Sequence, residues 1–156
     1  EERTDRFINA NPVLSGTIDF RSDLRLRDFW GTVVEYKVEH SVGGISFCHY
    51  FPSGLLGRPI SGVQTARTMC QKLARSAVQG HTHVFAYHYQ DRGPTFPRIE
   101  CWSAGCYTHP AHIEGWNLNS YFMYQRGVLL LRDVQNGVAE GGWEWLSQSR
   151  LQSLYL

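Results

Sequence analysis

The spacing of hydrophobic and polar positions alternates along the chain between a helical period and the period of two that is typical of strands. Residues 19–30, DFRSDLRLRDFW, place apolar side chains at near-helical spacing with the arginines between them, which predicts a helix. Residues 1–10 predict a shorter helix that stops before the first proline. From residue 32 the period becomes two. The two apolar runs that flank Gly43 and Gly44 therefore predict a β-hairpin, and its second strand, ISFCHYF, is apolar enough to be central in a sheet.

A helix and a short strand follow this hairpin. Residues 63–75, VQTARTMCQKLAR, have helical periodicity, and Ser61 is the predicted N-cap. The short apolar run SAVQ at 76–79 predicts a strand that leads directly into GHTH at 80–83. A strand, a helix and a second strand in this order indicate an α/β protein with neighbouring strands joined by the helix.

Strands dominate the second half of the pattern. VFAYHY, RIECWSAG and GVLLL predict mainly antiparallel strands, and Asn136-Gly137 is a strong hairpin signal. Residues 141–156 fit either a last strand or a docked helix, and periodicity does not decide between them. We expect one domain over residues 1–156, because this length is ordinary for a single domain with its own core.

Composition and charge exclude several classes of protein. Apolar residues make up 42% and charged residues 19%, unlike a disordered chain. The net charge of +1, with scattered basic residues, lacks the electrostatic signature of nucleic-acid binding. No apolar run approaches the roughly 18 residues that span a bilayer, so no membrane partner is expected. The four cysteines form no C-x-x-C pair, which indicates neither a zinc ribbon nor a disulfide framework and favours reduced thiols in the cytoplasm.

Three histidines follow the ends of predicted strands and are candidate metal ligands. His49 ends the first central strand, and His81 and His83 follow the next one. Functional groups collect beyond the carboxyl ends of strands in α/β proteins, and neutral imidazole is the commonest metal ligand. In an extended segment His81 and His83 would point to the same face, and Gly80 would let the backbone turn tightly before them. The alternative is that they are structural or solvated polar residues. The other histidines are weaker candidates: His40, His88, His109 and His112.

These stretches resemble a known family. AVQGHTHVF resembles the closing G-H-x-H motif of the calcineurin-like metallophosphoesterases, and ISFCHYFPSG resembles the strand ending in histidine that precedes it. GCYTHPAHIEGW followed by QRGVLLLRDVQNG is similar to the end of phage and bacterial members of that family. The resemblance covers nearly the whole chain, and GHTH is its specific part.

The resemblance implies a fold, a reaction and a set of ligands. The fold would be the C-terminal half of a two-sheet β-sandwich with flanking helices. The family holds two divalent metals, such as Mn, Zn, Fe or Ni, which activate water and clamp the oxygens of a phosphomonoester or phosphodiester. The resemblance implies that His49 and His81 are ligands of one metal and that His83 is a ligand of the other. The backbone around Gly80 would shape the approach to the metals. A nucleotide or nucleic acid is the favoured substrate, in a bacterial cell or a phage-infected host.

The chain departs from the family in its missing N-terminal motifs. D-x-H, G-D-x-x-D and G-N-H-D/E do not occur in it, so it supplies no catalytic residue of its own. Glu1, in the opening EERTDRF, matches the last position of the third motif. We therefore expect this chain to be the C-terminal half of a split or truncated enzyme. It would be inactive alone and would be completed by a partner that carries those motifs. Isolated, it is expected to form a homo-oligomer, because bare strand edges and apolar faces need cover.

Other residues and other functions remain alternatives. Arg58, in the loop after His49, is a weak candidate for phosphate binding and is otherwise a solvated loop residue. Cys101 and Cys106 are a redox pair or a soft metal site, or else two small core side chains, which the strand context favours. Four tryptophans have two alternative interpretations, as residues that stack on a nucleobase or as residues that pack in the core and loops: Trp102, Trp116, Trp143 and Trp145. The rival functions are a non-catalytic metal-binding or assembly protein and a nucleic-acid-binding module.

Overall fold

The computed structural model describes residues 32–108 and 121–155. The chain divides into two compact units, residues 1–38 and 39–156. The predicted helices at 1–10 and 19–30 lie outside the described residues. In the first unit, the described segment 32–38 contains a turn in which the Val38 amide donates to the Glu35 carbonyl at 3.0 Å. The expectation of one domain over the whole chain stays a prediction.

The second unit is a mixed α/β structure, which confirms the predicted class. Its elements in chain order are β1 (His40–Val42), β2 (Ile45–Cys48), β3 (Pro52–Ser53), β4 (Arg58–Pro59), α1 (Thr65–Leu73), β5 (Ala77–Gln79), β6 (Phe85–Gln90), β7 (Ile99–Ala104), β8 (Gly127–Leu131), β9 (Val134–Gln135), β10 (Val138–Ala139), β11 (Trp143–Ser147) and α2 (Gln148–Tyr155). A five-stranded sheet in the order β1-β2-β5-β7-β6 organises the unit. The three central strands run parallel and both edge strands antiparallel to their neighbours. Within the described residues, no helix has the length and the hydropathy needed to cross a bilayer.

The predicted hairpin around Gly43 and Gly44 is confirmed as β1 and β2, but the strand predicted from residue 32 is limited to His40–Val42, because residues 32–39 form no strand. Val42 pairs with Ile45, and the two glycines adopt φ values of +56° and +86°. The turn also touches a second hairpin, because the Gly137 amide donates to the Gly43 carbonyl at 2.8 Å. A Cβ at Gly43 would lie 2.4 Å from the Val134 carbonyl oxygen. Glycine is required here by both the backbone conformation and the close approach of the second hairpin.

Helix α1 crosses from β2 to β5, which lets these strands run parallel as the sequence predicts. It buries one face formed by Thr65, Ala66, Met69 and Cys70. The predicted N-cap at Ser61 is wrong. The residue before the helix is Gln64, whose side chain makes no capping bond, and the Thr65 hydroxyl instead donates to the Gly62 carbonyl at 2.6 Å. The loop before α1 is thus held by a hydrogen bond donated by the first residue of the helix.

Two apolar clusters cover the two faces of the sheet. Met69 and Cys70 of α1 pack on one face with Phe51 and Ile60. On the other face, Trp102 is fully buried in a cluster that also includes Ile45 and Val78. Aromatic rings join β11 to β6 on this side: the centroids are 4.5 Å apart for Tyr87 and Trp143 and 5.1 Å apart for Phe85 and Trp145. The sheet is therefore the middle layer between α1 and the β8–β11 pair.

The second half of the unit largely follows its predicted pattern. β6 pairs antiparallel with β7, and β9 and β10 form the predicted hairpin at Asn136-Gly137, with φ values of +50° and +80°. β7 also pairs parallel with β5, which the sequence pattern did not indicate. The tail contains both predicted alternatives, since β11 pairs antiparallel with β8 and α2 begins directly after it.

Candidate functional site

His49 and His81 meet at the carboxyl ends of adjacent parallel strands. Cys48, the last residue of β2, is in register with Gln79, the last residue of β5. Just beyond these strand ends, the His49 carbonyl accepts hydrogen bonds from the Gly80 and His81 amides, both at 3.2 Å. Two backbone bonds thus fix the segment that carries one imidazole to the residue that carries the other.

The two imidazoles face each other closely. His49 Nε2 lies 3.1 Å from His81 Nδ1, and the ring planes are 71° apart. Two nitrogens that each bind one metal at about 2.0–2.1 Å would be about 2.9–3.4 Å apart for octahedral to tetrahedral angles. The observed separation falls in this range, so the pair has the spacing of two adjacent ligands. His49 is exposed, which leaves the pair open to solvent.

The Tyr50 ring lies beside both imidazoles of the pair. Its ring centroid lies 5.1 Å from that of His81 and 5.9 Å from that of His49. The residue is half-buried and follows His49 directly. A phenol beside two imidazoles adds a polar group at the edge of the candidate site.

His83 takes a different direction from the one predicted for an extended segment. Residues 80–83 form a turn in which the His83 amide donates to the Gly80 carbonyl at 3.3 Å. His83 has a φ of +57°, so strand alternation does not apply and the same-face argument is wrong. The His83 ring packs edge-on against Tyr124, with the centroids 4.4 Å apart. Its role as a ligand stays a prediction.

The turn does not depend on the backbone freedom of Gly80. Its φ is not in the left-handed region, and a Cβ added there would have no atom within 4 Å. The residue that carries the unusual backbone conformation is His83. The conformational reason predicted for Gly80 is therefore wrong, and its contribution is the amide bond to His49.

A buried glutamine holds the loop that carries His49. Gln79 is fully buried at the end of β5. Its Oε1 accepts the Phe51 amide at 3.3 Å and its Nε2 donates to the Ile60 carbonyl at 2.8 Å. Both ends of the loop after β2 are thereby tied to one side chain next to the imidazole pair.

The donor set at the pair is small. Within residues 32–108 and 121–155, no group of three or more His, Cys, Asp or Glu side chains is arranged to hold a metal ion. Two imidazoles fit as part of a metal site by their chemistry and their spacing, but divalent metals in proteins usually take at least three protein ligands. Further ligands would have to come from elsewhere.

A second polar cluster lies inside the unit. Glu100 is 2% exposed, and its carboxylate accepts bonds from the Tyr87 hydroxyl at 3.0 Å and the Ala139 amide at 3.1 Å. Arg98 forms an ion pair with it at 3.0 Å. Burial, reinforced by the neighbouring Glu100, raises the pKa of Tyr87 to about 12. We call Glu100, Tyr87, Arg98 and the Ala139 amide the Glu100 cluster.

The remaining predicted residues have varied surroundings. Arg58 is exposed on β4, opposite Ser53, and its role in phosphate binding stays a prediction. His40 is exposed on the edge strand β1, and His88 lies on β6. His109, His112 and Trp116 lie outside the described residues.

The cysteines and tryptophans that the structure describes are mainly packing residues. Cys101 is fully buried, its thiol donates to the Arg75 carbonyl at 3.6 Å, and hydrogen bonding with Cys70 together with burial raises the pKa of the Cys101 thiol. The neighbour of Cys101 is therefore Cys70, while the Cys106 sulfur lies 3.7 Å from the Thr108 hydroxyl. All four cysteines are free thiols. The tryptophans at 102, 143 and 145 belong to the aromatic layer under the sheet.

Sequence reasoning missed Tyr50, Gln79, Tyr124 and Arg126. Gln79 had a signal, because it is a polar residue in an apolar strand run, and Tyr50 adjoins a candidate ligand. Tyr124 had none, since tertiary pairing alone brings its ring to His83, and neither had Arg126, whose guanidinium lies over the Tyr124 ring. In the comparisons with known proteins, no family model, no curated protein and no solved structure matches this chain.

Proposed function

We propose that this chain supplies the C-terminal histidine ligands of a metal-dependent phosphoesterase. His49 and His81 would bind one divalent metal, and His83 would bind a second. The single observation that carries the proposal is the 3.1 Å separation of the two imidazole nitrogens at the ends of adjacent parallel strands. Such a location is where α/β proteins collect functional groups.

The local architecture adds support. The order of β2, α1 and β5, with a histidine after each strand, agrees with the order that the resemblance to the calcineurin-like family implies. The five-stranded sheet would be one layer of that family's two-sheet sandwich. The imidazoles would orient the metal, and the metal would supply Lewis-acid chemistry toward a phosphoester.

Because the chain supplies few metal ligands, activity would require further ligands from another polypeptide. Two divalent ions held by imidazoles alone carry uncompensated positive charge, which carboxylate ligands normally balance. We infer that a polypeptide with the D-x-H, G-D-x-x-D and G-N-H-D/E motifs supplies these carboxylates and the proton donor. Alone, the chain would bind one metal weakly and would not hydrolyse substrate.

Two imidazoles without carboxylates also support a second candidate, a non-catalytic metal-binding or assembly protein. The two functions predict the same ligands and differ only in whether hydrolysis appears after complementation. A nucleic-acid-binding module has less support, because Trp102 is fully buried, Trp143 packs against Tyr87 and Trp145 stacks on Phe85.

The first test is metal binding by the chain alone. Zinc and manganese would be titrated calorimetrically into the wild type and the His49→Ala and His81→Ala variants. Each variant is expected to lose at least about tenfold in affinity, because one of two donors is removed. His40→Ala, an exposed histidine on the edge strand, is the matched control and should leave the affinity unchanged. Equal affinity in all four proteins would contradict the proposed site.

The second test is hydrolysis. Manganese-dependent cleavage of a generic aryl phosphodiester would be measured with the chain alone and with a polypeptide that carries the three motifs. Activity is expected only in the mixture, and His81→Ala should abolish it. Metal binding without activity in the mixture would leave the chain as a metal-binding protein.

A further inference from the structure

A short series of contacts leads from His83 to an arginine guanidinium. The Tyr124 ring packs edge-on against His83, and the Arg126 Cζ lies 5.8 Å from the centroid of the same Tyr124 ring. These contacts set an upper limit of about 10 Å between the His83 ring and the guanidinium, which a phosphate bridging an imidazole-bound metal and an arginine can span. Arg126 therefore lies in the neighbourhood of His83.

The backbone fixes this arrangement. The Gln125 amide donates to the His83 carbonyl at 2.9 Å, and the Gln125 side chain accepts the Phe85 amide. On its other side, the Gln125 carbonyl accepts the Cys106 amide at 3.0 Å. The segment that carries Tyr124 and Arg126 is thus bonded directly to the GHTH turn, so the guanidinium is positioned relative to His83.

The Arg126 side chain has a donor that the structure does not use. Its Nε is buried and has no hydrogen-bond partner within the described residues. A buried unpaired donor costs free energy, more so on a charged group. Other arginines of the unit are paired with carboxylates: Arg75 with Glu39, Arg98 with Glu100 and Arg132 with Glu144. Arg75 and Arg98 also lie over aromatic rings, as Arg126 does, but Arg126 pairs with no carboxylate within the described residues, so its planar set of donors is suited to a bidentate anion.

We propose that Arg126 binds the phosphate group of the substrate, with Tyr124 holding the guanidinium in place beside His83. The proposal rests on the proposed function for its substrate class, a phosphoester, and assigns the anion-binding role to Arg126 in place of the exposed Arg58. Arg126 is a substrate-binding residue here; Tyr124 is a positioning residue, because it acts through the arginine.

The test uses inorganic phosphate as the probe. Phosphate would be titrated into the full chain with and without zinc, for the wild type, Arg126→Lys and Arg126→Ala. Arg126→Ala is expected to weaken phosphate binding at least about tenfold, and Arg126→Lys by less, since lysine keeps the charge but not the planar fork. Zinc affinity should stay the same in all three. Thermal unfolding would verify that each variant folds, and the lysine variant keeps the test decisive if the alanine variant does not.

Arg92→Ala is the matched control. The Arg92 Cζ lies 5.2 Å from the Phe96 ring centroid, so it shares the stacked arrangement but not the location, and its removal should not change phosphate affinity. Tyr124→Phe keeps the ring and should leave phosphate binding intact, whereas Tyr124→Ala should weaken it with unchanged zinc affinity.

The outcomes separate this inference from the proposed function. Zinc binding with equal phosphate affinity in the wild type and Arg126→Ala overturns the role of Arg126 and leaves the metal site standing. Phosphate binding that depends on Arg126 without any zinc binding overturns the metal site and keeps Arg126 as an anion site. A wild type that binds no phosphate under either condition overturns the inference.

Discussion

The imidazole pair and the Glu100 cluster are two polar groups in one unit with opposite surroundings. Glu100 is 2% exposed, a hydroxyl and a backbone amide donate to its carboxylate, and a guanidinium forms an ion pair with it. His49, in contrast, is exposed and faces a second imidazole. Glu100 meets groups of opposite polarity, whereas the pair joins two groups of the same kind.

This difference separates a structural polar group from a candidate binding group. A buried carboxylate with complementary donors satisfies the hydrogen bonds that burial demands, and it connects β7 to β6 and β10. The two facing imidazole nitrogens are close enough to share one hydrogen bond, and the same spacing lets both act as ligands of one cation. We therefore expect mutations in the two clusters to affect different properties.

Glu100→Ala should have the largest effect on stability. It leaves the Ala139 amide and the Tyr87 hydroxyl without their acceptor, and buried unpaired groups cost about 1–3 kcal/mol each. We expect the free energy of unfolding to fall by about 3 kcal/mol. Urea denaturation would measure it, and zinc affinity of the folded protein should not change. A loss of zinc affinity without a loss of stability would reverse the assignment of the two clusters.

The same measurement on His49→Ala sharpens the contrast. Because His49 is exposed, its removal should change the free energy of unfolding by no more than about 0.5 kcal/mol. A much larger loss would mean that the imidazole pair is a structural element of the sheet edge.

Gly43→Ala and Gly80→Ala form a matched pair at two turns, one between β1 and β2 and one beside the imidazole pair. Alanine at Gly43 would require a positive φ and would overlap the Val134 carbonyl, so we expect a loss of about 2 kcal/mol or more. Alanine at Gly80 meets open space at an ordinary φ and should change stability by no more than about 0.5 kcal/mol. Thermal unfolding of both variants would measure the difference, and similar losses would contradict the described geometry of the turns.

The last expected effect concerns pH and Tyr87. The folded protein holds the Tyr87 proton to about pH 12, while the unfolded chain releases it near pH 10. Above pH 10 the folded state therefore binds more protons, so this contribution to stability is complete below pH 10 and is lost as the pH rises toward 12.

Tyr87→Phe tests this assignment. The variant should be less stable by about 1 kcal/mol at neutral pH, because the bond to Glu100 is lost. Its stability should also fall less steeply than that of the wild type between pH 10 and 12. Parallel pH profiles in urea denaturation would exclude Tyr87 as the titrating group.

Local patterns predicted much of the fold. The Gly43-Gly44 and Asn136-Gly137 hairpins and the strand before GHTH were predictable, because turn residues and periodicity act over a few neighbouring positions. The parallel pairing of β7 with β5 and the partnership of β8 with β11 were not, since they join strands that are distant in sequence.

The candidate site, like the fold, was predictable from local sequence patterns only in part. His49 and His81 were identified from their positions after two strands, and the structure brings them to 3.1 Å. The orientation of His83 was mispredicted because the argument assumed an extended segment, whereas the backbone turns with a positive φ. Tyr124 comes to His83, and Arg126 to the Tyr124 ring, because the backbone of residues 125 and 127 bonds to His83 and Cys106, which lie far earlier in the sequence.

The bond between Gly137 and Gly43 has a consequence for folding on the ribosome. It joins the first hairpin of the second unit to a hairpin near the end of the chain. Until residue 137 has been synthesised, the tip of the first hairpin has no docking partner there, although its own strands and the helix after them are already available. Contacts between distant segments pay loop-closure entropy and form slowly. We therefore expect the tip of the β1–β2 hairpin to dock late, after its own strands have paired.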